Sequence, residues 1–171
     1  MLNDKMEKAI NEQIKWEMYS SYLYLSMSAY FESVNLKGFA SWMRIQSMEE
    51  LTHVKRFYDF LSARGGRIIL AEIMAPPSEW DSPQAVFEET LKHEQHVTSR
   101  INDLVDLAQE LKDHASNSFL QWFVDEQVEE EESVDEALQS LKLNENNPGG
   151  LFMIDKELAQ RAFVAPAGVT L

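Results

Sequence analysis

Apolar positions recur with a period near 3.6 through four long stretches and one short one, and the scarce Gly (6) and Pro (5) residues mark the breaks. The pattern predicts a helix A over about Asp4–Ser33, a turn at Val34-Asn35, and a helix B over about Leu36–Arg64 capped by Gly65-Gly66. An extended segment, Arg67–Asp81, carries Pro76-Pro77. Ser82-Pro83 then reads as an N-cap with proline at the first helical position of helix C, which runs to about Lys112. Helix D covers about Ser116–Leu143. Asn146-Asn147-Pro148-Gly149-Gly150 is a strong stop before a short helix E over about Leu151–Phe163, and residues 164–171 read as a flexible tail. Helices of about 28–30 residues are some 40–45 Å long. Joined short–long–short, they predict an all-α four-helix bundle with one long crossover between B and C and a short fifth helix, in a single domain over 1–163.

Each long helix carries an apolar stripe that turns polar at mid-length. The stripes are Ile10, Ile14, Glu17, Ser21, Tyr24, Phe31 in helix A and Phe39, Met43, Gln46, Glu50, His53, Phe57, Leu61 in helix B. Helix C gives Phe87, Leu91, Glu94, Ile101, Val105, Ala108, and helix D gives Leu120, Phe123, Gln127, Glu130, Val134, Leu141. The spacing repeats: Glu17 to Glu50 is 33 residues, Glu94 to Gln127 is 33 residues, and Glu50 and Gln127 each have a ligand-type residue three positions on, His53 and Glu130. Residues three apart share a helix face. A buried carboxylate without a partner costs several kcal/mol, so it is protonated, paired or metal-bound. The stripes hold too few cations to balance four carboxylates, and carboxylates with one imidazole are a donor set suited to two iron ions. One Glu-x-x-His alone would mean little, since such pairs are common on solvated faces. Four stripes interrupted at one level are a different matter. A second apolar face on helix A (Trp16, Tyr19, Tyr22, Leu23, Tyr30) implies oligomerisation.

Composition narrows the function. The 171 residues include 29 acidic and 15 basic side chains, for a net charge of −14, which opposes nucleic acid and favours cations. The chain has no cysteine, so disulfides, iron–sulfur clusters and thiolate metal sites are excluded. No apolar run reaches membrane-spanning length, and MLNDKMEKAINEQIKW lacks the apolar core of a secretory signal, so no membrane role and a cytoplasmic location are expected.

Several strings together resemble the prokaryotic non-haem ferritins over about residues 1–160. They are Asn11-Glu12-Gln13, Glu17-x-Tyr19-Ser20-Ser21, Glu49-Glu50-x-Thr52-His53, Lys92-His93-Glu94-Gln95, Phe119-Leu120-Gln121-Trp122, Glu126-Gln127-x-Glu129-Glu130 and Ile154-Asp155-Lys156-Glu157-Leu158. The resemblance implies a hollow homo-oligomer of 24 subunits that takes up Fe(II), oxidises it with dioxygen or hydrogen peroxide at a centre in each subunit, and stores ferric oxide-hydroxide. It implies a first iron at Glu17, Glu50 and His53, with Glu50 bridging to a second iron held by Glu94 and Glu130 with Gln127 close by. A third site would use Glu49, Glu126, Glu129 and Glu130. The one imidazole should make the first site the tighter. Tyr24 matches a tyrosine beside the centre, able to hydrogen-bond a ligand or supply an electron, or simply part of the core. Trp122 is expected to pack, Glu131 and Glu132 to be solvated, and His93, His96 and His114 to lie on the surface. Leu51 stands where bacterioferritins carry a haem-ligating Met, so no haem is expected. Asn117 and Leu120 stand where animal ferritins place acidic residues at a three-fold channel. The alternative to a ferroxidase is a non-catalytic iron-binding cage.

Overall fold

A computed structural model describes residues 2–165. It contains α1 (Asp4–Ser33), α2 (Lys37–Ala63), α3 (Pro83–Glu110), α4 (His114–Leu143) and α5 (Pro148–Leu158), with no strand among the described residues. Local chemistry sets most of the ends. Asn3 caps α1 by accepting from Lys5 N, Ser82 caps α3 from Ala85 N with Pro83 at N1, and Asp113 caps α4 from Ser116 N. Asn35, with φ 63°, makes the tight turn between α1 and α2.

Side-chain contacts fix the direction of each helix. Gln13, Ser20 and Met27 of α1 meet Arg100, His93 and Thr90 of α3, while Ser21 and Ser28 meet Ser47 and Ala40 of α2. α1 is therefore antiparallel to both, α2 and α3 run parallel, and the crossover returns the chain along the bundle. The crossover also lies on α1: Ser26 donates to Pro77 O at 2.6 Å, and Trp80 packs on Tyr30 at 5.3 Å. Only part of the expected second face of α1 is thus free. Leu23 belongs to the core and Tyr30 is covered, whereas Tyr22 is 45% exposed.

Boundaries of α3, α4 and α5 differ from the sequence reading, α3 ending at Glu110 rather than Lys112. α4 begins at His114 because Asp113, two residues earlier than expected, supplies the cap. α5 begins at Pro148, which acts as an N1 proline rather than a stop, and ends at Leu158 rather than Phe163. In α3 the buried stripe is Phe87, Thr90, Glu94, Val97, Ile101, Leu104 and Ala108; Leu91 and Val105 sit at its margin. Thr90 tolerates burial because its hydroxyl donates to Val86 O at 2.9 Å. The expected tail over 164–171 lies mostly outside the described residues.

α5 is anchored by an unusual cap. Leu36 offers α2 no side-chain cap, and Asp155 of α5 takes its place, Oδ1 accepting from Gly38 N at 2.7 Å and Phe39 N at 3.2 Å. A Cβ on Gly38 would overlap the Asp155 backbone carbonyl, so only glycine permits this approach.

The core divides into two apolar layers. One holds Met27, Phe31, Phe39, Met43, Phe87 and Leu138, and the other holds Ile10, Ile14, Phe57, Leu61, Ile101 and Phe123. Between them lies a polar level.

Candidate metal centre

The polar level brings together Glu17 from α1, Glu50 and His53 from α2, Glu94 from α3, and Gln127 and Glu130 from α4, each at most 5% exposed. The three-residue spacing puts Glu50 and His53 on one face of α2, with His53 Nδ1 3.2 Å from Glu50 Oε2. The same nitrogen is 3.7 Å from Glu17 Oε2, and all three side chains offer ligand atoms within 4.8 Å of one another. Gln13, one turn before Glu17, donates to its Oε1 at 2.8 Å and is itself held by Arg100 Nε at 3.1 Å. Glu17 Oε2 and His53 Nε2 are buried with no hydrogen-bond partner. Such groups are costly to bury and are satisfied by a cation.

The α3–α4 side is arranged differently. Glu94 accepts from the Tyr24 hydroxyl on one oxygen and from Gln127 Nε2 on the other, at 3.2 Å. Glu130 accepts from Gln46 Nε2. Beyond His53, Glu126 Oε1 lies 3.8 Å from Nε2, and His53, Glu126 and Glu130 form a second group with ligand atoms within 4.8 Å. Glu49, half-buried and ion-paired to Arg161, and Glu129, which is exposed, belong to neither group of ligand atoms.

Crowding separates the protonation states of these groups. Burial pushes Glu50 well above the usual carboxylate range, reinforced by the charges of Glu94 and Glu17. Burial and the neighbouring Glu94 carry Glu130 up to about 8, and burial also raises Glu94. Glu17 goes the other way. Burial opposes its charge, but the attraction of His53, with the hydrogen bond from Gln13, holds it below the ordinary value. Burial likewise disfavours His53 as a cation, yet the surrounding Glu50, Glu126 and Glu17 raise it well above its ordinary value. Without metal the level is thus partly protonated, with His53 standing in as a cation. Hard carboxylate oxygens with one imidazole suit a first-row divalent ion such as Fe(II) and supply no soft ligand.

Residues around the site complete the picture. Trp122 packs edge-on against His53 at 5.6 Å, beneath the Arg56 guanidinium. His93, expected on the surface, is instead half-buried: Nε2 lies 2.8 Å from Ser20 Oγ, and its ring stands against Tyr24 at 5.9 Å. Burial lowers its pKa to about 4 and keeps it neutral at pH 7. His96 and His114 are exposed, as expected. Glu132 is exposed, but Glu131 is half-buried and accepts from Thr98 Oγ1 at 2.5 Å. Leu120 lies in an apolar layer, so it does not line a channel. The local pattern gives no sign that Arg100 supports Gln13, nor that Arg161 reaches α2. Gln13 could have been found, since it lies one turn from Glu17 on the same face.

Comparison with known proteins agrees with this architecture. Residues 7–144 match the ferritin-like domain. A bacterial non-haem ferritin of Bacteroides fragilis is 44% identical over 161 residues, covering 94% of this chain and 100% of that one. One from Escherichia coli is 38% identical over 159 residues, covering 93% and 96%. Among solved structures, an open-pore ferritin from Archaeoglobus fulgidus is 50% identical with a TM-score of 0.94, covering 95% of this chain and 100% of its own.

Proposed function

The chain belongs to the ferritin family and is an iron-storage protein, and from that premise we propose that it is a ferroxidase acting on a pair of Fe(II) ions inside each subunit. The observation that carries this reading is the buried Glu17–Glu50–His53 cluster, with two unpartnered ligand atoms at its centre. Glu17, Glu50 and His53 hold the first Fe(II). Glu50 bridges to the second, which Glu94 and Glu130 hold with Gln127 alongside, and Glu49, Glu126, Glu129 and Glu130 form a third position. Residues 1–163 act as one domain in a multisubunit cage, of 24 copies in the cytoplasm.

Each Fe(II) gives up one electron, and dioxygen or hydrogen peroxide accepts them. Carboxylate oxygens favour the higher oxidation state, which eases that loss. Cation entry expels protons from Glu50, Glu130 and His53. Gln13 orients Glu17, and Tyr24 and Gln127 orient Glu94, so both sides of the site keep their geometry as charge changes. The apolar layers on either side shield the polar level from water. Oxidised iron then hydrolyses and passes to the acidic interior of the cage.

The test is the growth of ferric absorbance after aerobic addition of Fe(II) to metal-free protein, set against buffer and against Glu50→Ala. A fast phase of about two irons per subunit is expected, absent in the variant while the assembly keeps its size. A trace that matches buffer would leave a passive iron-binding cage.

A further inference from the structure

Arg161 stands three residues beyond the end of α5 and reaches back to α2. One guanidinium nitrogen donates to Gln46 Oε1 at 2.7 Å and the other to Glu49 Oε2 at 2.5 Å, while the group lies over the Trp42 ring at 4.5 Å. Gln46 is fully buried and passes its own amide to Glu130. One cation therefore contacts a carboxylate of the third position directly, and reaches a ligand of the second iron through a single amide. The same side of the centre holds the buried, unpartnered His53 Nε2, 3.8 Å from Glu126. The placement is built in, because the Asp155 cap on α2 fixes the register from which Arg161 departs.

We propose that Arg161 is an internal cation that competes with the third metal ion for Glu49 and, through Gln46, positions Glu130 for the second. This rests on the iron-site reading above and adds the residue that sets occupancy of the third position. A metal ion and a guanidinium cannot both sit on Glu49 in a partly buried site without strong repulsion, so entry of one displaces the other. Displacement is open to Arg161, whose side chain is 23% exposed and lies outside the helix. Arginine suits the task because its planar fork serves two acceptors at once, which a lysine ammonium does not reproduce.

Anaerobic titration of the assembled protein with Fe(II), repeated with redox-silent Zn(II), tests the proposal. In Arg161→Gln the third equivalent should tighten about tenfold, the size of effect that groups behind metal ligands exert, while the second weakens and the first is unchanged. In Arg161→Lys the retained charge should leave the third equivalent near its original affinity while the second still weakens. A third equivalent that is unchanged or weaker in Arg161→Gln, with a lowered Tm, would make Arg161 a structural clamp and overturn the proposal. Should the variants fail to assemble, crystals of the unaltered protein soaked in Zn(II) decide. Guanidinium displaced from Glu49 by a bound ion supports competition, and guanidinium still bonded to Glu49 beside that ion refutes it. Loss of the first two equivalents in the unaltered protein would instead overturn the iron-site reading, and this proposal with it.

Discussion

The two sides of the polar level solve the same problem in opposite ways. On the α1–α2 side, Glu17 and His53 each leave a buried atom without a partner, and three ligand groups already converge. On the α3–α4 side, both oxygens of Glu94 and one of Glu130 are occupied by donors from Tyr24, Gln127 and Gln46. The first arrangement is poised for a cation. The second is satisfied without one, its carboxylates held in place by donors before any cation arrives. One polar level is thus prepared for a cation in two ways, by ligand atoms left without partners in one half and by carboxylates already fixed in place by donors in the other.

The largest expected effect comes from removing the poised half. His53→Ala deletes its one imidazole and the cation that holds Glu17 ionised. The first equivalent of Fe(II), titrated without oxygen, should weaken at least about 100-fold, since even groups behind the ligands change affinity by up to that factor. In the unaltered protein the His53 side should saturate before the other. Equal and simultaneous filling of both positions would show that the two halves are equally prepared for a cation.

A smaller effect sharpens the satisfied half through its protons. Glu130 keeps its proton up to about 8 in the metal-free fold, against an ordinary 4.5 for a glutamate. Between those values the folded chain binds more protons than the unfolded one, so the Glu130 contribution to stability falls as pH rises from about 4.5 to about 8. A cation taking this carboxylate must expel that proton, so affinity for the second equivalent should rise with pH below 8, by up to about tenfold per unit. Calorimetry of Zn(II) binding in two buffers of different ionisation enthalpy counts the protons released. Glu130→Gln should release one fewer; an unchanged count would assign the proton elsewhere.

Most of this asymmetry was not legible in the sequence, although the buried polar level was. The stripes of α1, α2 and α4 match the residues that are buried at the polar level, because burial and a period of 3.6 are local properties. The equal spacings carry Glu17, Glu50, Glu94 and Gln127 to one level. What decides how each ligand is held is long-range. Arg100 lies 87 residues from Gln13, Gln46 lies 84 from Glu130, and Arg161 lies 112 from Glu49. No periodicity connects such pairs. α5 was misjudged for a related reason: Asn-Asn-Pro-Gly-Gly is a breaker by composition, yet docking on α2 through Asp155 turns its proline into a helix start.

Tyr24 belongs to α1 yet holds a carboxylate of α3, and its removal should change least. Its hydroxyl is fully buried and points at Glu94, and burial, followed by the charges of Glu94 and Glu50, keeps it protonated far beyond neutral pH. It is therefore a permanent donor. Tyr24→Phe removes one of two donors to Glu94 and leaves Gln127 in place, so the carboxylate loses orientation but not all support. The second equivalent should weaken by up to about tenfold while the first is unchanged, and the metal-free protein should lose about 1.5–3 kcal/mol, the range for a hydrogen bond to a charged group. A first equivalent weakened to the same degree would show that the two sides are one mechanical unit. The rate of iron oxidation then separates the roles open to this residue. If Tyr24 only orients Glu94, oxidation slows in proportion to the lost occupancy of the second position. If it also supplies an electron, oxidation measured with both positions saturated remains slow, because extra metal cannot replace the missing phenol.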